Sequence, residues 1–161
     1  MDALSSYSVL MRLAIDIPES WKQQAFGPRL RAEIEHGLEL EVAPLAELPE
    51  DVRAWARGVP LRDLSGGVSS AVITASSEDK SDLEWTMIVH ESNGLDANGT
   101  RVQSRIHVLY IFVEHCAMIA FRATDDAKLS TRRAELLAIA RTARPDWGVP
   151  VGASLEDLLA T

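Results

Sequence analysis

Asn93-Gly94-Leu95-Asp96-Ala97-Asn98-Gly99-Thr100 leads directly into Arg101-Val102-Gln103-Ser104-Arg105-Ile106-His107-Val108-Leu109-Tyr110-Ile111-Phe112-Val113, a turn-forming segment followed by a long strand. Asn98-Gly99 tolerates the positive φ of a tight hairpin turn, so an antiparallel partner is expected upstream. Val102, Ile106, Val108, Tyr110 and Phe112 share one strand parity, while Gln103, Arg105 and His107 share the other. Leu109, Ile111 and Val113 make the second half apolar on both sides, which predicts a central strand with cover on both faces. The polar residues around the turn predict a projecting loop, in which Asn93, Asp96, Asn98 and Gly99 are the candidate partner-binding residues.

Upstream, Leu83, Trp85, Met87 and Val89 alternate with Glu84, Thr86 and His90, which predicts a half-buried strand with His90 facing solvent. Residues 68–75 form another strand candidate. Downstream, Glu114-His115-Cys116 reads as a turn and residues 117–123 as the returning strand. A helix then runs from a cap among Thr124, Asp125 and Asp126 to about residue 143, burying Leu129, Leu136, Leu137, Ala140 and Ala143 and leaving Arg132, Arg133, Glu135 and Arg141 wet. Pro145 stops it. Residues 146–161 read as a C-terminal tail or short helix.

Closer to the start, Val9, Met11, Leu13, Ile15 and Ile17 alternate as a strand that Pro18 ends. Residues 29–39 read as a helix, because Leu30, Ile34 and Leu38 recur every four positions, with Gly37 weakening its end. Pro49-Glu50-Asp51 reads as the first turn of a short helix over residues 50–57 that buries Val52 and Trp55. The expected order is β, α, short α, four β, long α, tail. That order is an α+β class, an antiparallel β-sheet covered by helices, in a single domain over residues 1–161.

Sixteen basic against twenty-four acidic residues give a formal charge of -8, which disfavours a phosphate backbone as partner. The first residues lack a basic leader, no apolar run spans a bilayer, and one cysteine forbids an internal disulfide. The expectation is a cytoplasmic protein without membrane or nucleic-acid partners.

Chemistry-bearing residues are few. Antiparallel pairing about Asn98-Gly99 brings His90 near His107 in projection, but no HxH, HExxH or CxxC spacing accompanies them, so neither a metal nor another cofactor is expected. Cys116 reads as a small buried hydrophobe beside Phe112 and Met118. No catalytic residue is assigned. Trp21 and Trp147 flank Pro18 and Pro145, and they are either core lids or the walls of a groove for a partner.

The run Leu13-Ala14-Ile15-Asp16-Ile17-Pro18-Glu19-Ser20-Trp21, with later antiparallel strands ending in Phe121-Arg122-Ala123-Thr124 and a helix, resembles the Mog1/PsbP-like superfamily. The resemblance implies an α/β/α sandwich around an antiparallel sheet and an accessory or binding role, with no catalytic residues to carry over. The segment 29–57 departs from it as a large insertion. The expected function is therefore a non-catalytic accessory domain that binds a protein partner. The alternative is a small enzyme or ligand-binding domain with a pocket near His90, His107 and Cys116. A homodimer through sheet edges stays open.

Overall fold

Alternation, not a four-residue stripe, governs residues 29–45. In the computed structural model, which describes residues 12–26, 29–45, 50–51, 55, 67–80, 85–112 and 115–146, the expected helix at 29–39 is a hairpin. Strands β3 (Arg29–Glu35) and β4 (Leu38–Leu45) pair antiparallel around a turn at His36 and Gly37. Leu30 and Ala32 stand opposite Val42 and Leu40, so the residues that suggested a helical stripe line one sheet face instead. Gly37 adopts φ 79°, a left-handed conformation that residues with a Cβ rarely take. What seemed to weaken a helix end makes the turn.

The remaining strands are β1 (Arg12–Ala14), β2 (Lys22–Phe26), β5 (Ser70–Lys80), β6 (Trp85–Leu95), β7 (Arg101–Phe112), β8 (His115–Ala123) and β9 (Arg144–Asp146). Seven of them form one sheet in the order β2-β3-β4-β8-β7-β6-β5, and β1 and β9 form a separate antiparallel pair. Two meanders, β2-β3-β4 and β5-β6-β7-β8, thus meet at the β4–β8 ladder, where Leu38 pairs with Ala123 and Leu45 with Cys116. The long strand β7 lies inside the sheet as expected, between β6 and β8.

Helix α1 (Asp126–Arg141) is capped by Asp125, whose Oδ1 accepts from the Ala127 N–H at 2.9 Å. It packs Leu129, Leu136, Leu137 and Ala140 against Leu38, Leu40, Ile106, Val108, Tyr110, Ile119 and Phe121. That is the main core. Thr142, not Pro145, ends the helix, and Pro145 lies in β9 opposite Leu13.

The opposite face of the sheet has its own cover. Trp55, a helical residue whose N–H donates to the Asp51 carbonyl at 2.9 Å, packs against Ala43, Met118 and Ala120. The connection from β4 to β5 therefore touches this face at Trp55. The expected short helix at 50–57 is described only at residues 50, 51 and 55, and the expected elements at 1–11 and 147–161 lie outside the described residues.

A Cβ added at Gly37 would lie 3.0 Å from Thr124 Oγ1 in addition to its φ penalty. Gly37→Ala should cost about 1–3 kcal/mol in urea unfolding with an unchanged m-value. A neutral substitution would contradict the turn.

Candidate functional site

Cross-strand partners share a face, so the register places every polar residue of the sheet. On the face turned away from α1, one row runs Ser92, Arg105, Arg122, Glu39 across β6, β7, β8 and β4. The neighbouring row runs Ser76, His90, His107, Ala120, Glu41, Arg31 across β5, β6, β7, β8, β4 and β3. The central residues of these rows are buried. Arg122 is 1% exposed, His107 0%, His90 2%, Glu41 3% and Arg105 4%.

Direct contacts hold them together. Arg122 Nη2 donates to Glu41 Oε1 at 2.6 Å, and Arg31 Nε donates to Glu41 Oε2 at 3.2 Å. Arg105 Nε lies 3.3 Å from His107 Nε2, which must accept and so carries no proton. Desolvation lowers the Arg122 pKa, while the Glu41 carboxylate opposes that fall. The Trp55 ring meets His107 edge-on, 6.1 Å between centroids.

His90 and His107 are brought together as direct register partners, but neither faces solvent. Cys116 does not join them. It pairs with Ile111, four residues from His107 along β7, a separation of about 13 Å. Burial raises its pKa and keeps it a thiol. His115 and Cys116 belong to β8 rather than to a turn. Among the described residues no group of three or more His, Cys, Asp or Glu side chains could hold a metal ion.

The projecting loop is shorter than its sequence suggested. Asn93 and Gly94 are strand residues paired with Ser104 and Gln103. Only residues 96–100 turn: the Gly99 N–H donates to the Asp96 carbonyl at 3.0 Å, and Asp96 Oδ1 accepts from Asn98 N at 2.9 Å and Thr100 N at 3.0 Å. Gly99 takes φ 80°. The turn leaves the Asn98 side chain exposed on a fixed backbone.

Trp21 is a core lid, 4% exposed, with the Arg132 guanidinium 5.7 Å above its ring centroid. Arg132 is thus partly buried over an indole and also gripped by Glu135, so the wet helix face is narrower than expected. Trp147 lies outside the described residues.

Two of the concavities among the described residues border the sheet. One, of about 70 Å³, lies between β6, β7 and α1, beside the bidentate Arg133–Glu91 pair at 2.6 and 2.8 Å. The other, of about 320 Å³, is lined by Lys22, Gln24, Arg31, Glu33 and Glu39 at the β2–β4 flank. Neither is lined by His90, His107 or Cys116.

Sequence reading missed Glu41, Arg105 and Arg122 as buried residues, since charge on a strand normally marks its wet side. The available signal was alternation in β4: once Leu38, Leu40 and Val42 are read as one face, Glu41 falls beside a basic residue on each neighbouring strand.

The solution structure of cyanobacterial PsbP (CyanoP) from Synechocystis sp. PCC 6803 matches with a TM-score of 0.58 at 14% identity, covering 86% of this chain and 94% of that chain. The fold is PsbP-like. No family model and no curated protein matches the sequence. The cytoplasmic expectation does not stand beside a fold match to a cyanobacterial PsbP. Residues 29–45 supply two strands of the seven-stranded sheet. No helix among the described residues is long and apolar enough to cross a membrane.

Removing Glu41 would leave Arg122 buried beside an empty site. Glu41→Ala should cost about 3–5 kcal/mol, whereas Glu41→Leu with Arg122→Met should recover most of that loss. Urea unfolding of the wild-type chain and these two variants reads the difference. A second test uses Tyr110, which is fully buried, with a hydroxyl that has no hydrogen-bond partner among the described residues. Desolvation raises its pKa from 10.0 to about 12. Its contribution to stability is therefore intact below pH 10 and lost as pH rises towards about 12, a fall of roughly 2–3 kcal/mol. Tyr110→Phe should remove that alkaline loss while leaving stability at pH 7 unchanged or higher.

Proposed function

We propose that this protein is a non-catalytic accessory domain that docks on a protein partner, with the connection over Trp55 completing an α/β/α sandwich. The observation that carries this reading is the PsbP-like fold, which pairs with a sheet whose polar residues contact one another rather than converge on an open cleft. Glu41 serves Arg122 and Arg31, and His107 serves Arg105. Such groups specify register and packing. They present no nucleophile beside a base, the arrangement that covalent or acid–base catalysis needs.

The docking element is the turn at residues 96–100 with Asn93 at its base. Its backbone is rigid because Asp96 ties down Asn98 and Thr100, so little conformational freedom is lost when a partner engages it. Asn98 supplies an exposed amide able both to donate and to accept.

A photo-crosslinking amino acid at position 98, used in the native host, should give one discrete adduct that the same group at exposed Thr131 does not. Asn98→Arg should weaken binding of the partner so identified by roughly tenfold. Equal labelling from both positions, or none from position 98, would overturn this assignment.

A further inference from the structure

Strand β5 closes one end of the seven-stranded sheet, and its outer side faces no other described strand. Natural edges of this kind are normally blunted by charges, prolines or bulges. In β5 the devices begin in mid-strand and run to its end. A bulge falls between Ile73 and Ala75, and Glu78, Asp79 and Lys80 follow. The stretch before the bulge has none of them, since residues 66–77 carry no charge. Val72, within that uncharged stretch, is 51% exposed and is the only large exposed hydrophobic side chain among the described residues.

The charges of the second half are matched within the chain. Lys80 Nζ lies 3.6 Å from Glu78, and Arg141 Nε lies 3.9 Å from Asp79. The edge therefore offers little net field to a highly charged partner strand. A neutral strand with an apolar residue at its centre suits it better, and residues 70–74 of another copy, Ser-Ala-Val-Ile-Thr, have that composition.

We infer that the β5 edge is a self-association surface, on which two copies pair antiparallel about a two-fold axis at Val72. The register sets Val72 against Val72 and Ala71 against Ile73, and the ladder stops at the bulge. Each copy's Glu78, Asp79 and Lys80 then lie roughly 20 Å or more from the axis and on opposite sides of it, so like charges are not apposed. The two sheets become continuous, with both α1 helices on the same face. The bulge beyond Ile73 limits the ladder to a short stretch, so association is reversible and grows with concentration.

The wild-type chain should shift from 17.6 kDa towards twice that mass in sedimentation equilibrium as concentration rises. Val72→Lys should reduce the association constant at least tenfold without changing the thermal midpoint. Val72→Cys should form an intermolecular disulfide on mild oxidation, because directly opposed residues of an antiparallel pair have Cα atoms about 4.5–5.5 Å apart, within disulfide range. Ser77→Cys, on the same edge but about 16 Å from the axis, should not. A wild-type chain that stays monomeric at every concentration, or equal crosslinking of both cysteine variants, would overturn the inference. Neither result bears on the turn at residues 96–100, whose own test reads a heterologous adduct at position 98.

Discussion

Everything in this molecule hinges on the seam between β4 and β8, and the Arg122–Glu41 ion pair lies across it. Each meander by itself would leave an apolar face open and one edge unpaired. Joined at this ladder they make one sheet that α1 covers. Above the seam, Leu38, Leu40 and Val42 meet Ala123, Phe121 and Ile119 under the helix. Below it, Glu41 and Arg122 meet out of water. A one-residue slip would drive the ion pair into the apolar core and the leucines to the other face, so both sides of the seam enforce the same register. Burying a charge pair gains little stability over an apolar substitute. What it contributes here is the heavy penalty on every wrong alignment.

The long central strand was legible because its apolar residues run continuously over a length typical of a strand covered on both faces. The C-terminal helix was legible from its cap and its stripe. Residues 29–39 misled for a specific reason: Leu30, Ile34 and Leu38 satisfy a period of four, and the alternation between them is masked by small Ala32. The irregular register between Glu33 and Glu35 breaks the pattern further. The decisive residue was Gly37, whose role depends on a backbone angle that letters do not display.

The polar face illustrates a different gap. The pairing of His90 with His107 followed from the turn position alone, and the register bears it out. Their burial did not follow, because nothing local in strands β6 and β7 announces that Trp55 will come to rest against His107. Cover supplied by a distant segment converts an outwardly wet strand face into an interior one. Parity arguments can identify which residues share a face, but whether that face sees water depends on contacts far away in sequence.

The small β1–β9 pair has a consequence for the order in which the chain can finish folding. Leu13 pairs with Pro145, the Asp16 N–H donates to Thr142 Oγ1 at 2.9 Å, and Arg144 Nη2 reaches Asp16 Oδ1 at 3.2 Å. One side of this clip leaves the ribosome before any strand of the seven-stranded sheet, and the other only after α1 is complete. During translation β1 must wait without its partner while the whole sheet is made. Closure of the clip therefore waits for α1, and it fastens the end of that helix to β1.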